Sequence, residues 1–226
     1  MLLLDSFIFI SGACCGSFIT CMAERLSDTH SLYTTQRSIC PKCRHQLRFW
    51  QLIPVLGVLL QRGRCFDCRS RINLRSTWIE LIFGCLVLLN WQAPLTTSAP
   101  LLLGYAVLLF NSLTDHDHFS VFPITLVAPA IIGVWIHPLI WSVPLFILIG
   151  LLISLYLIAW QTKKFGAGDV DILVLLTCLA TPNLVFNSLI LASAAALTIF
   201  IIQPQRRQLP FVPFLTWAFI LTTQLV

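Results

Sequence analysis

Four carboxylates stand at the edges of apolar segments, where charge is costly. Asp115, Asp117, Asp169 and Asp171 are four of the nine acidic residues in this 226-residue chain, and each borders an apolar run. A charged side chain at the centre of a membrane helix costs about 2.5–3.5 kcal/mol on insertion scales, and much less at a helix end. One such aspartate alone reads equally well as a solvated helix end. Two brought to one level from different helices can do chemistry. Close carboxylates cannot both ionise cheaply, so they share a proton. The ionised one takes a proton from water as that water attacks a peptide carbonyl, and the protonated one donates to the carbonyl oxygen. Gly166 and Gly168 flank the second site and would let a substrate backbone approach Asp169. The competing reading is a helix-entry loop with an Asp N-cap. Asp115-His-Asp-His118 also contains metal-ligand types, but neighbours at a helix end point in different directions and rarely close on one ion.

A second constellation is made of thiols. Cys40-Pro-Lys-Cys43 and Cys65-Phe-Asp-Cys68 are two C-x-x-C knuckles separated by 21 residues. That spacing is close to four-thiolate zinc ribbons. Four protein ligands leave no open position, so the expected zinc is structural. A polar segment of about 50 residues has a small core, and a metal staple suits it. The competing reading is redox-active or unpaired thiols. The other five cysteines lie in apolar runs, where free Cys behaves as a small hydrophobe.

Positioning these groups falls to membrane helices. Hydrophobic residues make up 58% of the chain and charged residues only 10%, against about 25% charged in a soluble domain. Mean hydropathy is +0.88. Eight apolar runs are predicted as helices, over residues 3–22, 77–91, 101–114, 124–136, 143–160, 170–180, 184–202 and 211–225. The predicted class is an all-α polytopic membrane protein with about eight transmembrane helices and a small four-cysteine loop domain. The first run has no basic n-region and reads as a retained helix. Its Gly12 and Gly16 form a G-x-x-x-G face for close approach of another helix. The expected divisions are a first transmembrane helix (1–23), a cytoplasmic metal-binding loop domain (24–76) and a membrane-embedded core (77–226).

Charge placement orients the chain. Ten of the fourteen Lys and Arg lie between Arg25 and Arg75; the others are Lys163, Lys164, Arg206 and Arg207. Basic residues flanking membrane helices collect on the cytoplasmic side. With the first cluster inside, counting crossings puts the other two clusters inside as well, together with all four aspartates. The basic residues therefore read as topology and not as a nucleic-acid surface.

Several stretches resemble the type IV prepilin peptidase family, in family order. Gly16-Ser-Phe18 through Arg25-Leu26 is similar to its opening helix, and the paired knuckles to its cytoplasmic loop. Ile53-Pro54, Gln61-Arg-Gly-Arg-Cys65 and Glu80 fit the stretch that follows. Asp115-His-Asp-His118 with Pro123 resembles D-x-D-H...P, Gly166-Ala-Gly-Asp169 resembles G-x-G-D, and Leu209-Pro-Phe-Val-Pro-Phe214 resembles P-F-x-P-F. The resemblance implies a membrane aspartic endopeptidase of the inner membrane with catalytic Asp115 and Asp169. It would cut short basic leaders from prepilin-like proteins at the cytoplasmic face. Many members also methylate the new N-terminus with S-adenosylmethionine. Asp171 stands where the family usually has Lys. Pro123 comes one residue late, so Asp117 stays open as an alternative first aspartate, with D-x-D-H favouring Asp115. Two other functions compete: an ion- or proton-coupled transporter, and a zinc-ribbon membrane scaffold without catalysis.

Overall fold

The computed structural model describes residues 2–27, 38–136, 141–162, 166–203 and 209–225. The basic pairs Lys163-Lys164 and Arg206-Arg207, and the His137-Pro138 break, lie outside the described residues. The helices are α1 (Leu2–Ser27), α2 (Leu56–Leu60), α3 (Arg75–Asn90), α4 (Leu95–His118), α5 (Pro123–Ile136), α6 (Val143–Thr162), α7 (Ala167–Leu179), α8 (Pro182–Ile202) and α9 (Val212–Leu225). A 3₁₀ turn covers Phe49–Leu52.

Each of the eight apolar runs is a helix, but their ends differ from expectation. α4 starts at Leu95, inside the stretch read as a turn, and contains Pro100. As the sixth residue of α4, Pro100 forfeits one intrahelical bond, the one its missing N–H would give to the Thr96 carbonyl. α7 begins at Ala167, with Gly166 as its N-cap and no side-chain cap. Asp169 is therefore a first-turn residue and not the cap. Among the described residues, four helices are long and apolar enough to cross a membrane: Leu2–Leu26, Leu95–His118, Val143–Gln161 and Pro182–Ile202. Pro123–Ile136 and Val212–Leu225 are shorter apolar helices. With 13 residues, α7 spans only about 20 Å, less than a hydrocarbon core of about 30 Å.

The chain forms two compact units, residues 1–94 and 95–226. In the first, α1 and α3 pack antiparallel along glycines. A Cβ on Gly12 would stand 2.9 Å from Val87 Cβ, and one on Gly16 would stand 3.1 Å from Glu80 Cα. The G-x-x-x-G face thus meets α3, whose Gly84 is equally close to Phe9. This pairing groups α3 with α1 rather than with residues 95–226.

In the second unit α7 is the central helix. It packs against α4, α5, α6 and α8, and Val170, Ile172, Leu173, Leu175, Leu176 and Leu179 are buried. α9 joins α4 and α8 through polar ties. The Tyr105 hydroxyl lies 2.6 Å from Thr223 Oγ1 and Ser188 Oγ lies 2.7 Å from Thr222 Oγ1. Such bonds bind helices where apolar association gives little specificity.

Candidate active site and four-cysteine centre

Two close contacts fix the register of α4 on α7. Gly104 meets the Leu179 side chain at one end, and Gly168 meets Val121, just beyond α4, at the other. The helices are therefore antiparallel. From the Gly104–Leu179 crossing, Asp115 and Asp169 lie about 16 Å and about 15 Å along their axes, in the same direction. The last turn of α4 and the first turn of α7 share one end of the unit.

The two aspartates of Asp115-His-Asp-His118 have different surroundings. Asp115 is 7% exposed, and its Oδ2 accepts the Val212 N–H at 3.2 Å. Val212 opens α9, so the Pro-Phe-Val-Pro-Phe stretch meets Asp115 through backbone. Pro213 has no N–H to offer, and a helix N-terminus favours a facing carboxylate. Asp117 is exposed and lies 3.0 Å from His116 Nδ1. Asp169 and Asp171 are both partly buried. Gly166 is exposed, and a Cβ there would sit 3.5 Å from Asp169 Oδ2. Gly166, Gly168, Asp117 and the two central aspartates thus gather at one end of the second unit. Glu80 belongs to the first unit. Its carboxylate accepts the Val55 N–H at 2.8 Å and the Ser76 hydroxyl at 3.0 Å, so it braces the backbone at Val55, where φ is +61°.

A polar clamp missed by sequence reading holds the turn between α4 and α5. The wholly buried Asn111 accepts the Phe122 N–H at 2.8 Å and donates to Thr125 Oγ1 at 2.9 Å. Thr114 Oγ1 donates to the Ser120 carbonyl at 2.8 Å. The clamped turn carries Val121, the residue against Gly168. The available signal was spacing, because Asn111 and Asp115 are i and i+4 on one helix face.

The two knuckles are built alike. The N–H of Cys40 donates to the His45 carbonyl and that of Cys65 to the Ser70 carbonyl. The N–H groups of Arg44 and Arg69 return to the carbonyls of Cys40 and Cys65, and both arginines have φ of +57°. This repeat turns all four sulfurs inward, within 4.8 Å of one another. The Cys40 and Cys68 sulfurs are 3.9 Å apart. A zinc–sulfur bond of about 2.3 Å requires sulfurs about 3.8 Å apart in a tetrahedron, so the donor set fits zinc. Backbone N–H groups of Cys43 and Lys42 hold the Cys40 thiol low, at about 6. Against the His45 N–H, which lowers it, burial and the neighbouring thiols push Cys43 up to about 12. Outside the sulfurs, Arg48 lies over the Phe66 ring at 5.0 Å and pairs with Asp67 at 3.8 Å.

The first unit coincides with a known domain: the family described as Bacterial Peptidase A24 N-terminal domain matches residues 10–93. The chain is 31% identical over 132 residues to a protein of Myxococcus xanthus (strain DK1622) named prepilin leader peptidase/N-methyltransferase, covering 56% of this chain and 38% of that protein. Proteins of the same name from Pseudomonas putida and Stutzerimonas stutzeri are 34% identical over 157 residues and 29% identical over 229 residues. These matches cover 62% and 89% of this chain, and 52% and 75% of the respective relatives. The chain thus spans well under two thirds of the M. xanthus protein and about half of the P. putida protein. No solved structure matches. The first unit thus matches the Bacterial Peptidase A24 N-terminal domain over residues 10–93, and up to 89% of the chain is similar to proteins named prepilin leader peptidase/N-methyltransferase.

Proposed function

We propose that this chain is an aspartic endopeptidase that cuts the short basic leader from prepilin-like proteins at the cytoplasmic face of the inner membrane. The observation that supports the reading is the shared end of α4 and α7, where the Gly104–Leu179 and Gly168–Val121 contacts set Asp115 and Asp169 at one level. The name of the similar proteins, prepilin leader peptidase/N-methyltransferase, suggests a substrate class for that pair.

In the proposed reaction, a water lies between the two carboxyl groups. One carboxylate accepts a proton from the water as its oxygen bonds to the scissile carbonyl carbon. The other carboxyl donates its proton to the carbonyl oxygen. Collapse of the tetrahedral species breaks the C–N bond, and a proton passes to the leaving amine. Gly166 keeps the approach to Asp169 free of side chain, and Gly168 lets α7 close on Val121. Asp117 and Asp171 add negative charge that attracts a basic leader. The eight helices all cross the bilayer in this reading, with α7 shielded by its neighbours.

Zinc bound by Cys40, Cys43, Cys65 and Cys68 would hold the ribbon together, and no step of cleavage uses it. The relatives' name also supports an N-methyltransferase activity, for which the resemblance implies S-adenosylmethionine as methyl donor and the new N-terminus as acceptor. Among the described residues no buried polar side chain is left without a partner to receive that molecule.

The test is cleavage of a prepilin-like substrate by the purified full chain in lipid, with both products weighed by mass spectrometry. A single cut just ahead of the substrate's apolar helix is expected. An intact substrate at stoichiometric enzyme would overturn the reading.

A further inference from the structure

The short helix α2 exposes an apolar face with no partner among the described residues. Leu56, Leu59 and Leu60 are 49%, 64% and 66% exposed, and their i, i+3, i+4 spacing sets them on one side. Leu52 and Ile53, from the turn against which α2 packs, are also exposed. The opposite side is closed, because Gly57 abuts the Gln51 backbone and both are buried.

The height of this face along the membrane axis follows from three residues. Val55, the N-cap of α2, donates its N–H to Glu80 of α3 at 2.8 Å. Glu80 lies against Gly16 of α1. Gly16 precedes Glu24, the first charged residue after the apolar run, by eight residues, or about 12 Å of helix. α2 is therefore held beside the apolar part of a membrane-spanning helix, near the depth of about 5–10 Å at which interfacial helices bury their apolar face. Trp78, two residues before Glu80 in α3, is exposed, as interfacial tryptophans are. Arg62 and Arg64 follow α2 directly and are exposed.

We propose that α2 and its neighbouring turn form an interfacial anchor. Leu56, Leu59 and Leu60 enter the acyl boundary of the leaflet on the ribbon's side, while Arg62 and Arg64 meet anionic lipid headgroups. The partner is a lipid surface, and charge complementarity selects its anionic members. The anchor fixes the four-cysteine ribbon against the membrane independently of any peptidase chemistry.

The experiment uses the full chain in phosphatidylcholine nanodiscs, with and without phosphatidylglycerol. A photoreactive benzoylphenylalanine replaces Leu59, and in a second variant Leu60. Both sites are exposed, so folding tolerates the change. Irradiation should give lipid adducts at both sites by mass spectrometry. Arg62→Glu with Arg64→Glu should lower their yield severalfold in phosphatidylglycerol discs and little in phosphatidylcholine alone. Adducts only to the chain's own residues, or a lipid yield indifferent to both headgroup and arginines, would overturn the proposal.

Discussion

A Cβ built on Gly168 would stand 2.6 Å from the Cβ of Val121, so the first turn of α7 touches the turn leaving α4 with no room for a side chain. Gly166, two residues earlier, has ordinary van der Waals clearance. Gly168→Ala should therefore push α7 away and cost about 1–3 kcal/mol of stability. Gly166→Ala should leave the melting temperature near that of the parent and lower cleavage only by crowding Asp169. Thermal unfolding of both variants in detergent, beside their cleavage rates, checks this contrast.

Asp117 and Asp115 should separate cleanly under mutation. Asp117 is exposed beside His116, while Asp115 is buried against Val212. Asp117→Asn is expected to hold stability within about 0.5 kcal/mol and to retain cleavage within about twofold, since the charge it supplies is exposed and screened. Loss of activity equal to that of an Asp115 variant would make Asp117 the first catalytic aspartate.

Asn111 uses its amide to hold the turn that carries Val121. Asn111→Leu strands the Phe122 N–H. A buried donor without a partner costs about 1–3 kcal/mol. The variant should melt earlier and cleave more slowly, because the seat of Gly168 is loosened. Differential scanning with a cleavage assay on the folded fraction measures both effects.

Elemental analysis of the purified chain should find one zinc per molecule. Replacing Cys40 and Cys65 by Ser should abolish it. Structural zinc contributes about 10–16 kcal/mol of apparent binding energy in small zinc peptides, so the metal-free ribbon should become protease-sensitive between α1 and α3. A metal-free wild type with an intact, protected ribbon would contradict the assignment.

Much of this architecture was legible because bilayer helices have a length rule. The eight apolar runs, the close glycine face of α1 and the convergence of four cysteines all follow from spacing. Helix ends were less legible. Pro100 reads as a terminator by itself, yet it lies inside α4, and Gly166 caps α7 where an aspartate was the expected cap type. The contact of Asp115 with Val212 could not be read at all. It joins residues 97 apart in sequence through a backbone N–H, which leaves no trace in side-chain type. Glu80 was picked out only by the resemblance, and its partner, the backbone at Val55 with its positive φ, is a property of the folded loop.

The central claim is that Asp115 and Asp169 act on one water. The most direct measurement is kcat for leader cleavage by Asp115→Asn and by Asp169→Asn, each in lipid and each checked for parental zinc content and melting temperature. Removing one acid–base partner should lower kcat by about 10²–10⁴-fold, and the double variant should lose little more, because the two carboxyls work as a unit. Near-parental kcat in either folded single variant would contradict the claim.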